Sequence, residues 1–203
     1  PLTGSLDGGG YEISGLTITG NQNEVGLFGR TGTTAEIYNV SVTDAAVSGT
    51  EYVGVLVGRN GGTIQQSTTD GTVTGDTAVG GLAGMNTGTI SDTHARGAVT
   101  GSGTAIGRLV GRNEGSGMVR DSYTTATVSG GSSTGTAVGN SGGSMQDVYW
   151  ERQSSQPSPV DAGQIGLTTD QMTGHEAPTY MAFDGGLWKT VSNDYPELGT
   201  GDW

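Results

Sequence analysis

The chain of 203 residues predicts an all-β fold: a parallel β-solenoid of about five coils of 26–29 residues with an irregular C-terminal cap. Three observations carry this. First, one octapeptide keeps returning, clearest as Val79-Gly80-Gly81-Leu82-Ala83-Gly84-Met85-Asn86. It recurs as Val53-Gly54-Val55-Leu56-Val57-Gly58-Arg59-Asn60 and Ile106-Gly107-Arg108-Leu109-Val110-Gly111-Arg112-Asn113, with a shorter Val25-Gly26-Leu27-Phe28-Gly29-Arg30 before them. Counted at its last glycine (29, 58, 84, 111), the spacings are 29, 26 and 27 residues. Second, the flanks keep step, with apolar columns at Ile37, Ile64, Ile90, Val119 and Met145 and at Val47, Val73, Val99 and Val128. A period between roughly 20 and 50 residues marks an array of stacked units. Third, 40 glycines, abundant Thr and Val, and alternating runs such as Ala126-Thr127-Val128-Ser129 are poor helix and good strand material.

Residues 1–24 read as a leading coil, in which Leu6, Ile13, Leu16 and Ile18 alternate with polar residues around glycine turns. An uncovered solenoid end exposes unpaired backbone and invites another chain to add on. The first full coil spans about 25–49, with Ile37, Val40 and Val42 inward; the next three end near Gly75, Gly101 and Gly130. Each has length for three strands of ~5 residues at ~3.3 Å per residue, and equivalent residues stack ~4.8 Å apart. Leu56, Leu82 and Leu109 form a further interior column. Asn60, Asn86 and Asn113 follow a glycine turn and form a turn ladder. Two readings stand side by side: stacked amides hydrogen-bonded from coil to coil, or asparagine accepted because it tolerates a turn conformation. The fifth coil, 136–150, is short and ends in Val148-Tyr149-Trp150.

From Glu151 the repeat stops and four of the five prolines appear. Residues 151–203 are expected to form a C-terminal cap or wrap over the last coil, with Trp150, Phe183 and Trp188 as anchors bridging cap and solenoid. Ser154-Ser155-Gln156-Pro157-Ser158-Pro159 reads as a linker, and Thr168 or Thr169 as the N-cap of a short helix.

The tetrapeptides Gly26-Leu27-Phe28-Gly29 and Gly81-Leu82-Ala83-Gly84 match Gly-Leu-any-Gly. Val55-Leu56-Val57-Gly58 and Arg108-Leu109-Val110-Gly111 keep the leucine and the last glycine, and the coil near Val138-Gly139-Asn140 has lost the leucine. In this, residues 1–150 resemble the GLUG-motif repeat family of secreted bacterial and haloarchaeal surface proteins. The resemblance implies an extracellular repeat scaffold, found in adhesins, haemagglutinin-like proteins and large surface proteases, whose motif contains no catalytic residue.

Hydrophobic residues make up only 32% and aromatics 6%, too little for a compact globule but enough for a solenoid, where each coil buries a thin aliphatic slice. With 20 acidic and 8 basic residues the net charge is −12, which excludes a phosphate-binding stripe and hence nucleic acid as a partner. The acidic, lysine-poor balance fits a halophilic protein and equally an ordinary acidic extracellular one. No cysteine is present, so thiolate metal sites and disulfides are absent, and no stretch calls for membrane insertion. The chain begins at Pro1, which suggests a mature form or a segment of a longer protein.

Asp92, Asp121 and Asp147 fall in one column, below Gln66 and Asn39. Stacked carboxylates ~5 Å apart match the separation in retaining glycosidases, and they could hold Ca²⁺, but any solenoid with two acids in a column reproduces that distance. A polar corner of turn-capping residues is the preferred reading, with no catalytic residue and no cofactor. Asn39-Val40-Ser41 is an N-glycosylation sequon, and His94 and His175 are expected to be exposed or locally satisfied. Arg30, Arg59 and Arg112 share a turn column and neutralise nearby acids or bind an anion.

The expected function is a non-catalytic extracellular structural or adhesive solenoid at a cell or virion surface. Its partners would be copies of itself through solenoid ends or faces, and host-cell or matrix glycans, in a filament subunit, adhesin or virion fibre. The alternatives are a carbohydrate-active enzyme with a groove at Asp92, Asp121 and Tyr123, or a scaffold domain of a larger secreted protease.

Overall fold

The computed structural model describes residues 1–131, 136–152, 163–183 and 186–199, so the proposed linker at 154–159 lies outside the described residues. The chain winds into a parallel β-solenoid of about five turns, each with three sides. One side carries Glu51–Val53 and Thr77–Val79, extended by single bridges from Val25 and to Ile106. The next is a five-stranded parallel sheet of Phe28–Arg30, Val57–Asn60, Ala83–Asn86, Val110–Asn113 and Val138–Ser141. The third and longest holds Ser41–Ser48, Thr63–Gly75, Thr89–Gly101, Met118–Thr124 and Ser144–Glu151 as successive rungs. The leading strands Ser5–Asp7, Glu12–Ser14 and Thr17–Ile18 begin this sheet, and Gln164–Leu167 ends it.

The register reproduces the sequence columns. Leu6, Ile37, Ile64, Ile90, Val119 and Met145 pair one above another, as do Ile18, Val47, Val73, Val99 and Val128. Across the interior stand Leu56, Leu82 and Leu109, linked by backbone bonds of 3.0 and 2.9 Å from each leucine N–H to the next carbonyl. Full burial of one such side chain contributes about 1.5–3 kcal/mol, so the spine is stabilised by many equal slices rather than by one centre.

Two corners turn through left-handed backbone without glycine. Asn39, Gln66, Asp92, Asp121 and Asp147 occupy one, with φ of 54, 49, 52, 48 and 50°. Asn and Asp suit it because their short polar side chains offset part of the roughly 1–2 kcal/mol that this conformation costs. The acidic column is thus a corner device. Glu24, Tyr52, Ala78 and Ala105 form the other corner, with φ of 60, 57, 53 and 61°. That second corner explains the last glycine of the repeat, because it packs on the corner of the preceding coil. A Cβ on Gly84 would lie 2.3 Å from the carbonyl carbon of Tyr52, and one on Gly111 2.5 Å from that of Ala78.

The asparagine column is a hydrogen-bonded ladder. Asn60 donates to Asn86 Oδ1 and Asn86 to Asn113 Oδ1, both at 2.8 Å, while the Thr31 hydroxyl donates to Asn60 Oδ1 at 2.7 Å. Asn113 ends the run by donating to the Ser144 carbonyl at 3.1 Å. All three amides are buried and none has positive φ, so tolerance of a left-handed turn is not the reason for asparagine here.

At the far end, Trp150 meets the C-terminal segment from inside the solenoid, in register with Gly166 and against its Cα, and not in the outer aromatic cluster of Phe183 and Trp188. It shares the inward register of Thr124, Ala95 and Thr69 and is buried in the interior core. Arg108 stands where the repeat has Gly81; its guanidinium lies 5.1 Å from the Trp150 ring and donates to the Ala126 carbonyl at 2.6 Å. Gln164 then covers the last coil, its Oε1 accepting from the Val138 N–H at 2.7 Å. Burial lowers the Arg108 pKa, and the charged guanidinium is retained by these contacts.

Candidate functional site

The outward column Glu12–Ser41–Thr68–His94–Tyr123–Tyr149 changes character along the solenoid axis. Its first three positions are polar and its last three are ring-bearing. On the ring-bearing half lies a second layer: the helical turns Thr169–Met172 and Ala177–Tyr180 and an antiparallel hairpin of Trp188–Val191 with Asp194–Leu198. The short helix at Thr169 is preceded by Thr168, whose N–H donates to Gln171 Oε1 at 3.0 Å. Tyr123, Tyr149, Met172, Met181, Phe183 and Trp188 form a core separate from the solenoid interior. Ring centroids lie 4.6 Å apart for Phe183–Trp188 and 5.3 Å apart for Tyr123–Trp188. The C-terminal segment therefore covers a lateral face over several coils, not only the last coil as its position in the chain suggests.

Three tyrosine hydroxyls fasten this layer. Tyr123 donates to the Pro196 carbonyl at 2.6 Å, Tyr195 donates to Glu151 Oε1 at 2.6 Å, and the Ala182 N–H donates to Tyr149 Oη at 2.8 Å. Burial pushes Tyr123 and Tyr149 up to about 12, so both stay protonated and neither is poised as a base.

His94 is not locally satisfied, contrary to expectation. Its ring is 5.1 Å from Tyr123 and 6.2 Å from Trp188, and its buried Nδ1 has no hydrogen-bond partner. Burial, then the charge of Arg96, lowers its pKa to about 3. Between that value and its ordinary 6.5 the unfolded chain binds a proton that the folded chain refuses, so His94 destabilises the fold as pH drops through this window. We expect His94→Phe to remove about 2 kcal/mol of that acid sensitivity between pH 7 and 4. Paired denaturant titrations across the window measure it, and parallel pH curves for the two proteins would contradict it. His175 is exposed.

The groove expected at Asp92, Asp121 and Tyr123 does not exist. Asp121 and Tyr123 are 1% and 0% exposed beneath the C-terminal layer, Arg120 pairs with Asp121 at 2.5 Å, and Asp147 accepts from Gln146 at 3.1 Å. Burial raises the Asp92 pKa, with a smaller contribution from Asp121. Among the described residues no group of three or more His, Asp or Glu side chains converges to hold a metal ion. In the arginine column, Arg30 pairs with Glu24, and Arg112 with Glu114 at 3.3 Å. Asn39 donates its amide to Asp7 Oδ1 at 3.1 Å.

Concavity lies instead on the polar half of the face. A cleft of 670 Å³ is floored by Glu12, Ser41, Thr43, Thr68 and Asp70, ends at His94 and Arg96, and is walled by Leu187 and Glu197–Gly199 of the C-terminal layer. Sequence reasoning did not find it. The signal was present in the outward column, where Ser41 and Thr68 give way to His94, Tyr123 and Tyr149.

Over 67 residues, 32% of this chain, the sequence is 48% identical to Halomucin of Haloquadratum walsbyi, and the matched stretch is 1% of that protein's length. No family model matches the chain, so the kinship with GLUG proteins stays a resemblance in the tetrapeptides and their register. No solved structure matches it. No helix among the described residues is long and apolar enough to cross a membrane.

Proposed function

We propose that this chain is a non-catalytic structural β-solenoid of a haloarchaeal cell surface. The observation that carries the reading is the 48% identity to Halomucin, joined to a fold whose buried acids serve backbone corners. An acidic surface with a single lysine, Lys189, suits an extracellular protein kept soluble by hydrated carboxylates in brine. The small share of Halomucin that is matched supports a module repeated or embedded in a much longer surface protein.

End-to-end continuation of the coils is the mode of assembly that this reading favours. The leading strands pair with the first full coil on one side, Ile13 is 39% exposed, and Leu6, Leu16 and Ile18 are only partly buried. A further coil, from the same protein or from another copy, would bury these apolar groups and pair the free backbone. Electron microscopy and light scattering on concentrated protein in high and low salt test it. Rods longer than one chain are expected; a strictly monomeric species at every concentration would overturn assembly through this end. Immunogold labelling of intact cells tests the surface location.

A further inference from the structure

We propose that the lateral cleft binds a neutral saccharide chain along the solenoid axis. The inference goes beyond the scaffold reading.

The floor is one register column, Glu12–Ser41–Thr68–His94, whose groups recur every ~4.8 Å. That step is close to the advance of one pyranose ring in an extended oligosaccharide. Carboxylates of Glu12, Asp70 and Glu197 accept hydrogen bonds, the Arg96 guanidinium donates them, and the Ser41 hydroxyl, which accepts from Thr68 at 3.1 Å, keeps its own proton to donate. Sugars need such mixed recognition, because each ring hydroxyl both donates and accepts. Simple ions do not fit. Of the three lining carboxylates, Asp70 lies in register with Arg96 on the next rung, Glu197 is 3.4 Å from Lys189, and Glu12 accepts from the Thr43 hydroxyl at 2.7 Å, so each already has a partner in place of a free cation. Phosphate would meet Arg96 surrounded by carboxylates.

Shape agrees with the chemistry. A volume of 670 Å³ falls within the roughly 300–1,000 Å³ of small-molecule pockets. Leu187 and Leu198 supply an apolar wall for the C–H face of a ring. Tyr11 lies between the lining residues Gly10 and Glu12 in the chain and is 81% exposed, the most exposed large hydrophobic residue described, so its ring is free to turn toward a ligand held beside them. An aromatic body with a polar tip is suited to stack on a sugar that enters there.

The test is titration calorimetry on the full chain with maltotriose, cellotriose, mannotriose and chitotriose, and with spermidine and inorganic phosphate as contrasting probes. At least one trisaccharide should bind. Asp70→Asn should weaken that binding about tenfold or more, as expected for loss of a charge-assisted hydrogen bond. Tyr11→Ala should weaken it, and Thr100→Ala, exposed elsewhere on the same sheet, should leave it unchanged. Asp70 and Tyr11 are both exposed, so these variants should keep the parental melting curve. The proposal is overturned if all four trisaccharides are silent, if binding survives both Asp70→Asn and Tyr11→Ala, or if spermidine or phosphate binds in their place.

Discussion

Gly84→Ala should destabilise the solenoid by about 3 kcal/mol or more, although it adds only one methyl group in a strand with ordinary backbone angles. The added carbon would stand 2.3 Å from the Tyr52 carbonyl carbon and 2.4 Å from the Val53 nitrogen. Both are backbone atoms, so no rotamer change relieves the overlap, and the cost reaches the upper end of the 1–3 kcal/mol typical of overpacking. The two coils would have to separate locally, weakening the rung bonds on either side. Gly142→Ala is the control, because nothing lies within 4 Å of its added Cβ. Thermal melts should show a drop of roughly 6–12 °C for the first variant and almost none for the second. Equal melts would mean that the recurring glycine is not set by contact with the corner beneath it.

Asn86→Ala should cost about as much, for the opposite reason: it leaves a hole in a polar ladder. The two N–H groups of the Asn86 side chain are shared among Asn113 Oδ1, the Gly88 carbonyl at 3.2 Å and the Met118 carbonyl at 3.2 Å. Its oxygen accepts from Asn60 and from the Gly88 N–H at 3.2 Å. Truncation strands several buried groups at once, each worth about 1–3 kcal/mol when unsatisfied. Asn86→Asp separates hydrogen bonding from size. A carboxylate there would face Asn113 Oδ1, acceptor against acceptor, in a site with no solvent. Its folded-state pKa should be raised, so the stability of this variant relative to the parent should rise as pH falls and the acid regains a proton to donate. Denaturation of variant and parent side by side at pH 4 and 8 measures the difference; a stability gap between them that is wider at pH 4 than at pH 8 would contradict the ladder.

The solenoid was legible because a period near 27 residues writes every interior contact into the sequence as a column, and the observed register follows those columns. The asparagines were legible as a column but not as a ladder, since the same spacing serves a turn residue and a stacked amide. The Glu24–Tyr52–Ala78–Ala105 corner left no trace, because its residues share no chemistry and neighbouring coils impose the conformation. Grouping Trp150 with Phe183 and Trp188 overlooks strand alternation: Tyr149 points outward with Tyr123, and Trp150 inward with Thr124 and Ala95. Where the C-terminal segment docks was not legible either, because its partners are spread over coils far apart in the chain.

The change of character along the outward column also constrains how such a protein can vary in length. Deleting or duplicating one period among the early coils would rejoin equivalent positions and leave the aromatic platform of His94, Tyr123 and Tyr149 intact. The same event among the later coils would break that platform and release the layer seated on it. Unequal recombination can therefore lengthen or shorten this rod from one end only, and the platform end is inherited as a unit.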